Sequence, residues 1–329
     1  MIINTLIRLD ASPYQKSPFF LQEKAMARKL GLNYLYCDFR NRGLSWPLPD
    51  EYQGPFALIS NPHTPCQKVP KELLNECALW LHPNSGYDNL DAAWVNEQSF
   101  PIVVGQSIRA QGVSEYILGH LFSHFARHNH QSEWSKERTW ERTLLANKKV
   151  TILGKGHVGK LVGSVLSPLC GVTYYDPYIK GDDIYKGQLK DLLSQTDVLI
   201  LCASLNKNNI KMLNKDNLPL LPNDALIINS ARGELINQSD LLKFLKERPK
   251  AFAYLDVFEN EPFQSKDFKG ISNIHCTSHI AGVTHDLEER LLHFEENVLN
   301  RFLNDPSDAF QYNFKHSLLH NRLIGEELI

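Results

Sequence analysis

Val150-Thr151-Ile152-Leu153-Gly154-Lys155-Gly156-His157-Val158-Gly159, followed by Tyr174-Tyr175-Asp176, is the stretch on which the fold turns. A short apolar run leads into a G-x-G-x-x-G turn, a helix-like segment follows, and an acidic residue stands about twenty positions on. Each part has a mechanical reason. Gly154 permits a tight turn off a strand, Gly156 presents no side chain to a pyrophosphate, and Gly159 lets the new helix pack close to the strand. The helix start at His157 and Val158 offers free N–H groups to phosphate oxygens. Asp176, ending the next strand, can accept hydrogen bonds from ribose hydroxyls. A glycine-rich loop alone is weak evidence, since such loops also occur where nothing binds. Here strand, helix and acid all fall in place, and the segment reads as dinucleotide-binding.

The 329 residues suffice for two domains with substantial cores. A net charge of −2, with 22% charged residues of mixed sign, gives no electrostatic case for nucleic acid or an anionic membrane as partner. No apolar stretch approaches the roughly 20 residues that span a bilayer. Residues 1–8 lack a basic head followed by a long apolar core, so they read as a first strand rather than a signal peptide. Six cysteines (Cys37, Cys66, Cys77, Cys170, Cys202, Cys276) form no C-x-x-C pair and read as reduced thiols of a cytoplasmic protein.

About 150 residues precede the glycine loop, and they too alternate apolar runs with helical patterns. Strands are expected at 2–9, 33–37, 56–60, 78–82 and 102–105, with a helix over 19–30. Residues 112–130 read as one long helix with apolar positions at Val113, Tyr116, Ile117, Leu121 and Phe125. A polar stretch over 132–143, bearing Trp134 and Trp140, leads into the glycine-loop strand. Further strands are expected at 198–202, 225–228, 251–255 and 274–277, and a helix at 239–246 with Ser239 as its N-cap. An amphipathic helix over 286–302 and a tail remain, too little for a third domain, so the helix is expected to pack back on the first one. The expected class is α/β, with two doubly wound parallel-sheet, Rossmann-like domains. The nucleotide domain (109–285) is inserted into the substrate domain (1–108 plus 286–329).

Three further segments follow apolar strands, so they fall where doubly wound sheets place ligands. They are Asn229-Ser230-Ala231-Arg232-Gly233-Glu234, Asp256-Val257-Phe258-Glu259-Asn260-Glu261-Pro262 and Thr277-Ser278-His279-Ile280-Ala281-Gly282. Reducing a 2-keto acid needs a cation to hold the carboxylate and polarise the carbonyl, and Arg232 offers a permanently charged fork of donors. The developing alkoxide needs a proton, for which His279 is the candidate. Glu261 suits the far ring nitrogen, where a carboxylate fixes the tautomer; Glu259 is its rival, and either can be a solvated loop acid. Arg232 and His279 also have bland readings as structural residues at strand ends. His120, His124 and His128 recur every fourth residue on the long helix, but without cysteines or a fixed fourth ligand they read as no metal site.

The segments GKGHVG, YYDPY, INSARGELIN, LDVFENEP and TSHIAG, in that order, make the chain resemble the D-isomer-specific 2-hydroxyacid dehydrogenase family over nearly its whole length. His82-Pro83-Asn84-Ser85-Gly86-Tyr87-Asp88-Asn89-Leu90-Asp91 also resembles the first-domain segment whose amides hold the substrate carboxylate. The resemblance implies catalytic roles for Arg232, Glu261 and His279. It implies NAD contacts at Gly154, Gly156, His157, Val158, Gly159, Asp176, Ala203, Ser204, Asn209, Ser230, Ala231, Arg232 and Asp256, the last near the carboxamide. Substrate contacts fall on Ser85, Gly86, Arg232 and His279. It further implies a homodimer joined through the nucleotide domains and a cleft that closes over a small 2-keto or 2-hydroxy acid. Asp176 favours NAD over NADP, because its charge repels a 2′-phosphate and no arginine follows closely.

Three departures stand out: Ser278 precedes the histidine where the family usually has proline, Ser204 replaces another proline, and Lys155 enters the glycine loop. The competing function is an NAD(H)-sensing, corepressor-like binding protein of the same fold, disfavoured by the intact Arg232, Glu261 and His279 set and by the lack of a disordered tail. An enzyme of this fold acting on another anion, phosphonate-type or formate-like, is a second alternative. The substrate side chain falls to loops near Tyr14 and residues 62–64, 85–86 and 107–109. Arg109 is read as a surface arginine ahead of a selector for a second acidic group.

Overall fold

In the computed structural model, residues 3–11, 17–39, 50–126, 132–134, 136–137, 142–324 and 327–328 are described. Tyr14, His128 and Trp140 lie outside them. Contacts divide the chain into Met1–Arg109 with Thr284–Ile329, and Ala110–Val283.

The first unit runs β1 (Thr5–Asp10), α1 (Ser17–Lys29), β2 (Asn33–Asp38), β3 (Phe56–Ile59), α2 (Lys71–Asn75), β4 (Cys77–His82), α3 (Ala92–Glu97) and β5 (Ile102–Val104). Its sheet has the order β2-β1-β3-β4-β5, parallel throughout. β1 and β3 are buried at every residue; β3 is accordingly a continuous apolar run, while β1 buries Thr5, Arg8 and Asp10 among its apolar residues. One face packs Leu9, Leu58 and Trp80; the other packs Leu6, Ile59 and Leu81.

The second unit runs α4 (Ala110–Ala126), β6 (Lys149–Leu153), α5 (His157–Leu166), β7 (Gly171–Tyr175), α6 (Leu189–Leu193), β8 (Val198–Leu201), β9 (Leu226–Asn229), α7 (Gln238–Glu247), β10 (Phe252–Leu255) and β11 (Ile274–Cys276). Its six-stranded sheet is parallel, in the order β11-β10-β9-β8-β6-β7. A single parallel bridge, Tyr174 to Ile184, adds a third position outside β7. Counted from β6, the positions then run 3-2-1-4-5-6-7, the order of dinucleotide-binding sheets with one strand added. The switch point lies between β6 and β8. The α7 N-cap differs from expectation: Asn237 takes the Asp240 N–H at 3.2 Å, and the Ser239 hydroxyl bonds Asn237 instead.

The chain returns to the first unit through α8 (Leu287–Asn304) and α9 (Asp308–Asn313), ending in a short antiparallel pair, β12 (Leu323–Ile324) and β13 (Glu327–Leu328). Val298, Leu299 and Phe302 of α8 join the core beside Leu6 and Ile59. A fully buried ion cluster ties that helix to the first strand. Arg8 Nε lies 3.1 Å from both Glu23 oxygens, and its Nη2 lies 2.7 Å from Glu295 Oε1. Among the described residues no helix is long and apolar enough to cross a membrane.

Candidate active site

The glycine loop leaves β6 at the switch point. Gly154 has φ +94°, and a Cβ there would stand 2.7 Å from the Ala203 backbone, so only glycine fits the turn beside the end of β8. A Cβ at Gly159 would stand 2.1 Å from the Gly154 carbonyl oxygen, which fixes the close seating of α5 on the loop. Gly156, the N-cap, faces open space within 4 Å and brings no capping side chain, leaving the first amides of α5 unshielded. Asp176 is half-buried; Oδ2 accepts from the Lys155 N–H at 2.8 Å and Oδ1 from the Tyr178 N–H at 3.0 Å. These two bonds aim the carboxylate and leave a lone pair on each oxygen for ribose hydroxyls. Ser230 Oγ, at the end of β9, is buried with no partner among the described residues. An uncapped helix start, an aimed acid and an orphaned buried hydroxyl fit a dinucleotide.

Lys155 does not point at that acid. Its ammonium lies 2.6 Å from both oxygens of Asp183 and 4.9 Å from the centre of the Tyr174 ring. Asn209 braces its own loop: Nδ2 donates to the Ser204 carbonyl at 2.7 Å, and Oδ1 accepts from the Asn206 N–H at 2.8 Å. His157 and Val158 open α5, and Ala203 and Ser204 follow β8.

Arg232, Glu261 and His279 come from the turns after β9, β10 and β11, and the second unit brings them together. Asn229 shapes the first turn, taking the Ala231 N–H at 3.1 Å and donating to the Arg232 carbonyl at 2.9 Å. A Cβ at Gly233 would stand 2.0 Å from the Phe258 carbonyl carbon, so glycine lets this turn press on the next one. Glu261 Oε1 accepts from the Phe258 N–H at 3.1 Å, and Oε2 meets His279 Nδ1 at 2.9 Å. Nδ1–H is thereby the donor to the carboxylate, and Nε2 is left as the outward nitrogen. Burial pushes the Glu261 carboxyl up, but the His279 bond and charge, the Phe258 amide and the Arg232 charge outweigh it, and the carboxyl sits below its ordinary range. Glu259 is committed elsewhere, 2.7 Å from Lys211 Nζ and 3.2 Å from the Gln238 N–H.

Asp256 is fully buried, and its carboxylate accepts from Thr277 Oγ1 and from the amides of Ile280 and Ala281. That hold on the histidine turn went unread in the sequence, as did Tyr116, whose hydroxyl reaches Thr277 at 2.7 Å. His120 stacks on Tyr254 and meets Tyr116 edge-on, and no group of three or more metal-ligating side chains occurs among the described residues. Trp134 is exposed.

In the first unit, Ser85 and Gly86 follow β4. A one-way chain supports them: Trp80 Nε1 donates to Ser60 Oγ at 2.7 Å, Ser60 donates to His82 Nδ1 at 2.8 Å, and His82 Nε2 donates to the Gly86 carbonyl at 2.9 Å. Burial pushes the His82 imidazole down to about 4, so it stays neutral, as this chain requires. Arg109, read as a surface residue, is half-buried with Nη2 at 3.4 Å from Asn84 Oδ1.

Residues 118–281 match the family model of the D-isomer specific 2-hydroxyacid dehydrogenase NAD binding domain. The chain is 32% identical over 207 residues to erythronate-4-phosphate dehydrogenase of Proteus mirabilis, covering 61% of this chain and 52% of that protein. It is 27% identical over 209 residues to glyoxylate/hydroxypyruvate reductase HPR3 of Arabidopsis thaliana, covering 60% and 65%. It thus spans about half to two-thirds of the length of these curated relatives. Its fold is that of D-lactate dehydrogenase from Aquifex aeolicus, with a TM-score of 0.67 at 18% identity, covering 96% of this chain and 99% of that one. Through the unit that carries the glycine loop, the chain belongs to the family of D-isomer specific 2-hydroxyacid dehydrogenases.

Proposed function

We propose that the chain is an NAD-dependent dehydrogenase of D-2-hydroxy acids, working as a reductase of the matching 2-keto acids. The observation that carries this reading is the 2.9 Å bond between His279 Nδ1 and Glu261 Oε2, with Arg232 close enough to act on the same carboxylate. In the net reaction a 2-keto acid gains a hydride at its carbonyl carbon and a proton at its carbonyl oxygen. Bound NADH supplies the hydride. The Arg232 guanidinium fixes the substrate carboxylate and offsets the charge that grows on the carbonyl oxygen. His279 gives the proton from Nε2, while its Nδ1–H stays on Glu261, which holds the tautomer and compensates the positive ring.

Relatives named for glyoxylate, hydroxypyruvate and erythronate 4-phosphate favour a small 2-keto or 2-hydroxy acid as substrate. Asp176 sets the preference for NAD over NADP. A homodimer joined through the NAD-binding units and a cytoplasmic setting belong to the same reading. The test is oxidation with NAD of the separate D and L enantiomers of lactate and glycerate, followed by NADH absorbance. Reduction of NAD by D enantiomers alone is expected, with NADP at least tenfold poorer, about 1.4 kcal/mol. Equal use of L enantiomers, or no reaction with any 2-hydroxy acid, overturns the reading.

A further inference from the structure

Tyr116 lies on α4 and not on any of the turns that carry Arg232, Glu261 and His279. Its hydroxyl is 2.7 Å from Thr277 Oγ1, and Thr277 Oγ1 spends its one proton on Asp256 Oδ1 at 2.6 Å. Tyr116 is therefore the donor, and a one-way chain runs from Tyr116 through Thr277 to Asp256. Asp256 spends its other acceptances on His279, Ile280 and Ala281. Oδ1 takes the Ile280 N–H and Oδ2 the Ala281 N–H, both at 2.8 Å, and the main-chain oxygen takes the His279 N–H at 2.9 Å. His279 itself stands at φ +54°, a left-handed conformation that a residue with a Cβ keeps only when its surroundings impose it.

We infer that Tyr116 and Thr277 are positioning residues: through Asp256 they hold the 277–281 turn in the backbone conformation that aims the His279 imidazole. The inference rests on the proton-donor role proposed for His279. The bonds converge on one buried carboxylate, so losing one donor loosens the turn as a whole. Burial, reinforced by the Asp256 charge, pushes the Tyr116 hydroxyl up to about 12, and it keeps its proton as the chain requires. The Tyr116 ring packs edge-on against His120 at 4.4 Å, so a phenylalanine keeps the packing and removes only the hydroxyl.

The experiment compares Y116F, T277V, T277S and the double variant Y116F/T277V in the full chain. It reads kcat and KM for a turned-over 2-keto acid, NADH affinity, melting temperature and amide exchange over residues 277–283. Y116F and T277V should each lower kcat about tenfold, as a misaimed group does. NADH affinity and melting temperature should stay close to wild type, while the Ile280 and Ala281 amides exchange faster. The double variant should be no worse than T277V, because both interrupt one chain. T277S, which keeps the hydroxyl, should retain turnover and slow exchange. Wild-type kcat with slow exchange in both Y116F and T277V overturns the inference, and so does a T277S as impaired as T277V. If the wild type reduces no 2-keto acid, the role of His279 fails, and exchange alone decides the clamp: faster exchange in Y116F supports it, unchanged exchange overturns it.

Discussion

A histidine, a glutamate and an arginine at three strand ends are legible in a sequence because each follows an apolar run and each has the type its task demands. Which of two nearby glutamates faces the histidine is not legible, since Glu259 and Glu261 share a loop and a charge. Geometry separates them: Glu259 is held by Lys211 and the start of α7, and Glu261 by Phe258 and His279. The Glu261 carboxyl is held below its ordinary range, so the folded state binds its proton less readily than the unfolded state. Its contribution to stability is present above that range and is lost as the pH falls through the lowered value. Wild type should therefore melt above Glu261→Gln at neutral pH, with the gap closing in acid, as thermal unfolding across pH will read. The same variant should lose turnover by about 10–10³-fold, because an amide no longer enforces the donor tautomer.

At the level of elements, the glycine loop announced itself by spacing, and the strands expected in the two sheets lie within a residue or two of their places, except that β1 starts at Thr5 and not at residue 2; the short β12–β13 pair was not expected. Caps and long contacts were harder. Asn237 and Ser239 are both capping types two positions apart, and only the turn geometry chooses Asn237. Tyr116 satisfied the apolar periodicity of α4, so its hydroxyl bond to Thr277, 161 positions away, left no trace in the pattern. The two helix-start glycines should respond differently to one methyl group. Gly159→Ala puts a Cβ 2.1 Å from a backbone oxygen, so both melting temperature and NADH affinity should fall. Gly156→Ala meets nothing within 4 Å, so the fold should keep its stability while NADH binds about tenfold or more weakly. Calorimetry and NADH titration on the pair check this; equal behaviour contradicts the assignment of the loop as a phosphate cradle.

Across the whole molecule, strand and helix alternation foretold two parallel sheets and a returning C-terminal helix, but not what fastens that helix. Arg8 and Glu295 stand 287 positions apart and meet fully buried, with Glu23 between them. Burial and the adjacent Glu23 charge push the Glu295 carboxyl well above its ordinary 4.5. Glu295→Gln should be nearly neutral in acid, within about 1 kcal/mol, whereas Arg8→Met strands a buried carboxylate and should cost about 3–5 kcal/mol in denaturant unfolding. A carboxyl raised in the folded state loses stability as the pH climbs from its ordinary 4.5 through the raised value, so Glu295→Gln should gain on wild type across that climb. The proton donor remains the claim on which the enzyme reading stands, and one measurement tests it: NADH oxidation against glyoxylate, hydroxypyruvate, pyruvate and phenylpyruvate, by wild type beside His279→Ala. Turnover by the wild type that falls about 10²–10⁴-fold in the variant, with NADH affinity kept, is the expected result. Equal turnover by the two proteins would contradict it.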